Sequence, residues 1–387
     1  MFVRKIPIAV LLLLTLPHWG CNSGKKNHSL NEKDSQLAGQ RVVAERVLVQ
    51  GGDNIGYLRK MGSFNVENPD EGLYFSGSGP SFDISADRIV LLDAKQRKFY
   101  IVNYKGELLK TGGSHGQGPG EFQTPLSICY LDDGSFSVFE QYPSRVIHFD
   151  RNGVYEKEQP VRFGKLERTA IPRGAFWGLN KVWYIKLLEM SGDSYRQLIF
   201  ALNGSLDGGT VLYKMPSYSF EDKRFSIPYT ASTFDVSASG DLALTFRYVD
   251  KIELTIVHPD GTTVKLSKPF DPIPRDHEEV AEIEARLAKS SGSSVRGKDM
   301  AFRYKPSIRQ LQFDDKGRLW LLSPTDTGQY AIYVLKPGEN HLVKVTSPIR
   351  VKQPTFRIKS NNLVILGATP DEQSLLTAYV YKIPDAN

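Results

Sequence analysis

Cysteine is scarce in this chain, which holds only two in 387 residues, Cys21 and Cys129. Cys129 lies in the apolar segment Ile128-Cys129-Tyr130, where a cysteine behaves as a small core residue. Cys21 precedes a polar tract, so a bridge between the two would tie a flexible segment to a buried strand. We therefore predict no disulfide, and the chain is not a disulfide-stabilised scaffold.

Histidine is sparse and scattered as well. None of the seven is spaced as His-x-His or His-Glu-x-x-His, the spacings typical of zinc sites. The seven are His18, His28, His115, His148, His258, His277 and His341. From the sequence we predict no metal site, no cofactor and no catalytic residue.

The chain also lacks a long basic block with interleaved aromatic residues. Its 49 basic and 43 acidic residues are spread along the sequence and leave a net charge of +6. A mildly basic balance of this kind is a property of solubility rather than a sign of a partner. We predict no binding of nucleic acid.

Long apolar runs are missing except near the N-terminus. Arg4 and Lys5 precede an apolar stretch from Ile6 to Leu16, which is too short to span a bilayer. We predict an export signal over residues 1–20, and a flexible polar tether over 21–40.

Cys21 follows Gly20 at the end of this leader, a pattern that resembles the cleavage site of bacterial lipoproteins. The resemblance implies that the thiol of Cys21 carries lipid, although His18 stands where such sites usually have an aliphatic residue. Ordinary cleavage that leaves a free thiol is the alternative. Asn22, at the next position, favours the outer membrane under the common sorting rule. We expect a membrane partner through this anchor.

A repeat dominates the rest of the chain. In its two clearest copies a turn residue lies six positions before an acid, and the acid thirteen before a glycine: Asp87, Asp93 and Gly106, then Gly134, Glu140 and Gly153. Fainter copies centre on Asn180, Gly240, Gly317 and Asn362, which gives spacings of 47, 46, 60, 77 and 45. Such a period predicts an all-β, six-bladed propeller over residues 41–387, with the first strand of each blade nearest the axis.

Two features interrupt this repeat. The valine-rich segment Arg41 to Val49 reads as a strand, and we predict that it closes the ring by pairing with the last blade near 378–383. The insertion from about 270 to 305 has helical character, with a capping-box-like start at Asp276. We place this helix between blades four and five, over one face of the ring.

The segment Gly113-Ser-His-Gly-Gln-Gly-Pro-Gly-Glu-Phe122 joins the two clear copies. It resembles the blade junction of propellers built from NHL-like repeats, and especially of exported propeller lipoproteins of Gram-negative bacteria. Asp93 and Glu140, with Arg97 and Arg145 after them, look like the acid and arginine of such repeats. The resemblance implies a six-bladed ring with a lipid anchor and implies no catalytic residues. Phosphate binding by the glycines is disfavoured because no helix follows them.

The candidate ligand-binding residues fall into two sets. A polar residue recurs between apolar ones in the predicted inner strands, and these side chains are expected to ring the channel: Asp83, Asp235, Gln312 and Arg357. His115 and Arg145 are expected in loops on the face that carries the insertion. Asp93 and Glu140 are expected to cap turns.

Three functions follow as hypotheses. The first is a non-catalytic propeller at the cell envelope that binds a small polar ligand or an envelope protein. The second is a metal-assisted lyase or hydrolase with its site at the channel mouth. The third is a carbohydrate-binding component of a glycan-uptake system, in which Trp177 stacks on a sugar.

Overall fold

The computed structural model describes residues 41–53, 58–66, 75, 80–166, 169–191, 194–215, 218–219, 232–246, 248–291, 303–346, 349, 351–369 and 376–384. Its strands form six antiparallel sheets, each a blade of a β-propeller, which confirms the predicted fold. The leader, Cys21 and the tether lie outside the described residues.

The first three strands precede the blades: β1 Arg41–Val47, β2 Val49–Asp53 and β3 Arg59–Asn65. Blade 1 contains β4 Ser81–Ile84, β5 Arg88–Asp93, β6 Lys98–Asn103 and β7 Leu108–Gly112. Blade 2 contains β8 Pro125–Tyr130, β9 Phe136–Glu140, β10 Arg145–Phe149 and β11 Tyr155–Pro160. A 3-10 turn at Gly164–Leu166 leads to blade 3, which contains β12 Ala170–Trp177, β13 Trp183–Ser191, β14 Ser194–Leu202, β15 Gly209–Lys214 and the short β16 Tyr218–Ser219.

Blade 4 contains β17 Ser232–Val236, β18 Leu242–Phe246, β19 Lys251–Val257 and β20 Thr262–Pro269. The helix α1 His277–Ser291 follows, as predicted, and precedes blade 5. Blade 5 contains β21 Gln310–Phe313, β22 Leu319–Pro324, β23 Tyr330–Leu335 and β24 His341–Lys344. Blade 6 contains β25 Lys352–Lys359, β26 Asn362–Ala368 and β27 Leu376–Lys382.

The turns after the inner strands explain the repeat. Gly134, Gly240 and Gly317 have φ values of 83°, 91° and 72°, which an L side chain rarely adopts. Each of these glycines therefore fixes the tight turn between the first two strands of its blade.

The core lies between neighbouring blades. Each main cluster of buried residues that the described part of the chain forms joins two consecutive sheets, and one of them joins blade 6 to blade 1. Since a blade is buried on both faces, its middle strands read as continuous apolar runs such as Ile89–Leu92, all four fully buried.

The prediction that an N-terminal strand closes the ring at blade 6 is confirmed, but the choice of Arg41 to Val49 as that strand is wrong. β1 pairs in parallel with β20 of blade 4, and β2 pairs in parallel with β24 of blade 5. The strand that completes blade 6 is β3, which runs antiparallel to β27 with Phe64 opposite Ala378. Val47 and Val49 mislead because they are not core residues: they are 69% and 40% exposed, whereas Leu48 between them is 2% exposed and packs between blades 4 and 5.

The predicted helical start is confirmed. Asp276 accepts a hydrogen bond from the backbone N–H of Glu279 at 2.7 Å, which satisfies one free donor of the first turn of α1. No helix among the described residues is long and apolar enough to cross a membrane.

Candidate functional site

The central channel holds a cavity of about 360 Å³, within the size range of small-molecule sites. All four channel candidates line it: Asp83 of blade 1, Asp235 of blade 4, Gln312 of blade 5 and Arg357 of blade 6. The structure thus brings together side chains that are up to 274 positions apart in sequence, 83 to 357.

The two aspartates each tie one inner strand to the next. Asp83 accepts the backbone N–H of Tyr130 at 2.8 Å, and Asp235 accepts that of Phe313 at 2.7 Å. In both contacts the accepting atom is Oδ2. The carboxylates are therefore held in place by the backbone of the neighbouring blade, and no described cation forms an ion pair with either of them.

Two glutamines of β21 make a similar ladder to blade 6. Gln310 donates to Phe356 O at 2.7 Å and accepts from Phe356 N at 3.0 Å. Gln312 makes the same pair of contacts with Ile358, at 3.1 Å each. Both side-chain amides are thus hydrogen-bonded to the backbone of blade 6, so these glutamines have a structural role in the channel wall.

Arg357 is the exception. Its Nη1 donates to Phe356 O at 3.1 Å, and its guanidinium lies 5.4 Å from the ring centroid of Phe82. Among the described residues no carboxylate oxygen lies within 4.0 Å of it, and most of its five N–H groups have no acceptor there. A guanidinium that lines a cavity with this spare capacity is suited to bind an anionic or acceptor group.

The electrostatics of the channel centre on Asp235. Burial raises the pKa of Asp235 to about 7, and the nearby carboxylate of Asp83 adds to the rise. The N–H groups of Phe313 and Val236 and the charge of Arg357 act in the opposite direction. Although it is surrounded by protein, Asp235 keeps contact with the channel, so it can change protonation near neutral pH.

Cys129 also lines the cavity, but its thiol is unreactive at neutral pH. Burial raises the pKa of its thiol to about 12, with a further contribution from Asp83. The thiolate needed for nucleophilic attack or metal binding is therefore absent at neutral pH.

An aromatic wall faces these polar groups. Phe176 and Trp177 at the end of β12, and Phe234 of β17, line the same cavity. The rings of Phe176 and Phe234 meet at 5.2 Å, and Trp177 contacts Trp183 at 5.5 Å. Such a wall can cover a flat apolar part of a ligand.

Several lining residues escape the sequence analysis. Thr355 and Lys359 lie two positions either side of Arg357, and Gln310 lies two before Gln312, so the period of two along an inner strand is the signal that finds them. Lys359 donates to Tyr130 O at 2.9 Å, which joins blade 6 to blade 2. Lys186 lies on β13, the second strand of blade 3, so the period of two along the inner strands does not identify it.

His115 and Arg145 do not line the cavity. Both lie at the opposite end of their blades from the turns that follow Asp83 and Asp235, because strands within a blade alternate in direction. His115 is exposed. Arg145 is buried, with its Nε 2.7 Å from Glu140 Oε2, and it also contacts Glu158.

The acids of the repeat stabilise loops, as expected for turn caps. Asp93 Oδ1 accepts the backbone N–H groups of Lys95 and Gln96, each at 2.9 Å. Glu140 Oε1 accepts those of Gln123 and Thr124, the latter at 2.7 Å. Asp93 therefore caps its own turn within blade 1, whereas Glu140 fastens the junction of blades 1 and 2.

Gly112-Gly-Ser-His-Gly116 matches the Gly-x-Ser-x-Gly pattern of hydrolase nucleophile elbows, a match the sequence analysis passed over. The structure gives it another role. Ser114 donates to Glu121 Oε1 at 3.2 Å, and the segment leads into strand β8 rather than a helix. The strand–turn–helix setting that an elbow requires is missing here.

The described residues contain no group of three or more His, Cys, Asp or Glu side chains placed to hold a metal ion. Within that part of the chain, the metal-assisted hypothesis therefore has no ligand set.

No protein-family model matches this chain, and no curated protein matches it. The solved structures of similar shape include the following three proteins. A protein from Bacteroides fragilis described as exported covers 88% of this chain and 99% of its own, at 11% identity and a TM-score of 0.48. The calcium-binding protein regucalcin from Agrobacterium tumefaciens covers 88% of this chain and 97% of its own, at 12% identity and a TM-score of 0.45. Streptogramin B lyase covers 83% of this chain and 97% of its own, at 10% identity and a TM-score of 0.44. Similarity at this level carries no information on ligand or activity.

Proposed function

We propose that this protein is an exported propeller, anchored to the outer membrane by lipid on Cys21, that binds a small polar ligand in its channel without catalysis. The leader over residues 1–20 and the polar tract that follows Cys21 support export and anchoring. The side chains of the channel support the binding role.

One observation carries the binding role: Arg357 lines a cavity of about 360 Å³ without a carboxylate partner among the described residues. Leaving a charged group in a partly enclosed site without a counter-charge costs free energy. A ligand that pairs with the guanidinium removes this cost. Asp83 and Asp235 offer acceptor oxygens elsewhere in the same cavity, and the aromatic wall offers apolar contact.

The test is a thermal-shift and calorimetric screen of the chain from residue 40 onward, with monosaccharides, organic acids and amino acids as probes. We expect at least one probe to bind, and Arg357→Gln to weaken that binding about tenfold or more. Arg162→Gln is the matched control, because the Arg162 side chain is 66% exposed and lies outside the channel. Binding that Arg357→Gln and Asp235→Asn both leave unchanged would place the ligand elsewhere.

Carbohydrate recognition is the second candidate, and the aromatic wall favours it. A sugar stacked on Trp177 would quench its fluorescence, and Trp177→Phe would abolish that change. An envelope protein as partner would appear in pull-downs whose yield is insensitive to Arg357→Gln.

The anchor has its own test. Cys21→Ser should abolish labelling by radioactive palmitate and release the protein from the membrane fraction. If Cys21→Ser leaves both unchanged, the anchor is refuted while the channel proposal stands.

A further inference from the structure

Opposite charges stand apart in the channel instead of pairing. The charges of Asp83 and Arg357 act on Asp235 in opposite directions, yet among the described residues no carboxylate oxygen lies within 4.0 Å of the guanidinium. Backbone contacts to Tyr130 and Phe313 hold the two carboxylates where they are. The backbone of the neighbouring blades therefore keeps the two carboxylates separate from the Arg357 guanidinium.

The balance of charge around this gap is close to neutral. Of the described residues, three cations and three acids line the cavity: Lys186, Arg357 and Lys359, with Asp83, Asp132 and Asp235. Asp132 is 3.1 Å from Lys181, a cation outside the lining. A purely anionic ligand would lie against Asp83 and Asp235, and a purely cationic one against Arg357. A ligand that carries both charges satisfies both sides.

Building on the proposed function, we infer that the channel binds a small zwitterion of the free amino acid type, with its ammonium at Asp83 and Asp235 and its carboxylate at Arg357. An ammonium group is only a hydrogen-bond donor, and carboxylate oxygens are only acceptors, so the two are complementary. A guanidinium binds a carboxylate with two parallel hydrogen bonds. The aromatic wall of Phe176, Trp177 and Phe234 then covers an apolar side chain.

Protonation of Asp235 distinguishes the ligand classes. Since burial raises its pKa to about 7, Asp235 passes from mostly neutral at pH 6 to mostly charged at pH 8. An ammonium binds more tightly to the charged form, an organic acid more weakly, and a neutral sugar almost equally to both. The described titratable and charged groups that share the cavity with Asp235 are Asp83, Cys129, Asp132, Lys186, Arg357 and Lys359, and Tyr184 lies close by.

The experiment is calorimetry on the chain from residue 40 onward at pH 6 and pH 8. The probes are L-phenylalanine, N-acetyl-L-phenylalanine, L-phenylalaninamide and glucose. We expect L-phenylalanine to bind, and to bind several-fold more tightly at pH 8. At pH 6, where the amines of L-phenylalanine and of its amide are both protonated, L-phenylalanine should exceed the acetylated and amidated probes by about tenfold or more. Asp235→Asn should remove the pH dependence, and Arg357→Gln should weaken the amino acid but not the amide.

Other outcomes separate the two levels of the proposal. If glucose or N-acetyl-L-phenylalanine binds more tightly than L-phenylalanine, and Arg357→Gln still abolishes that binding, the zwitterion proposal is refuted. The proposal that the channel binds a small ligand then stands. Equal binding of L-phenylalanine and its amide also refutes the zwitterion, because the carboxylate then contributes nothing. Failure of all four probes overturns the zwitterion, and failure of the wider screen overturns the binding role as well.

Discussion

Arg145 and Glu140 form a buried ion pair, with Arg145 Nε 2.7 Å from Glu140 Oε2 and both side chains less than 8% exposed. The pair fastens the junction between blades 1 and 2, since Glu140 holds the backbone of Thr124 and Arg145 donates to Glu121 O at 3.2 Å. We read it as a structural contact and not as part of a ligand site.

Arg145→Met should therefore lower the free energy of unfolding by about 3 kcal/mol or more, because it leaves Glu140 buried without its counter-charge. Urea unfolding measures the loss. Arg162→Met, at a side chain that is 66% exposed, should cost less than about 0.5 kcal/mol. A double variant with Glu140→Gln should lose less than the sum of the single losses. Ligand affinity in the channel should not change.

Gly113 begins the junction in a conformation that favours glycine, with φ at 81°. A Cβ there would lie 2.4 Å from Phe122 Cε2 and 2.8 Å from Arg97 O. Neither neighbour can move away easily, because Phe122 is fully buried and the Arg97 oxygen belongs to the backbone. We expect Gly113→Ala to cost about 2 kcal/mol in unfolding free energy. Gly204→Ala is the control, since a Cβ there meets nothing within 4 Å. Equal losses in the two variants would show that the junction tolerates the added methyl group.

The sequence predicts the inner strands well because two independent signals coincide there. Phe356 and Ile358 are buried apolar residues that alternate with the polar Arg357, and a tight turn follows. The same alternation identified the channel side chains. Only a polar residue between two apolar ones was conspicuous, so Lys359, at the end of its strand, was overlooked.

The rest depends on contacts that no local pattern encodes. β3 closes the ring, yet it carries few apolar residues, and Met61 within it is 58% exposed. Lys186 lines the channel from a second strand because its partner across the sheet is Gly174, which has no side chain to cover it. Both facts follow from which strand lies beside which, and that is decided by the closed ring.

Ring closure by β3 gives a prediction for truncation. A chain that starts at residue 54 loses β1 and β2, which only extend the outer edges of blades 4 and 5. It should stay folded and lose about 2 to 3 kcal/mol, mainly from the buried Leu48. A chain that starts at residue 67 also loses the fourth strand of blade 6, so its thermal unfolding followed by circular dichroism should no longer be cooperative. Cooperative unfolding of the shorter chain at an unchanged midpoint would contradict closure by β3.

Asp235 should make stability depend on pH in the opposite sense to an ion-paired aspartate. Its pKa is about 7 in the folded chain against 3.8 for an unperturbed aspartate, so between these values the native state binds more protons than the unfolded state. Unfolding free energy contributed by Asp235 is then present in full below pH 4 and is lost as pH rises towards 7. The shift corresponds to at most about 4 kcal/mol, and solvent in the channel reduces it, so we expect about 1 to 2 kcal/mol. Asp235→Asn keeps an acceptor for Phe313 N and should unfold with a smaller loss between pH 4.5 and 7.5 than the wild type in urea titrations. Asp207→Asn, at a side chain that is 72% exposed, should follow the wild type. Parallel pH profiles for wild type and Asp235→Asn would show that Asp235 is already charged at pH 4.5, and would remove the basis for its role as the pH-sensitive group of the channel.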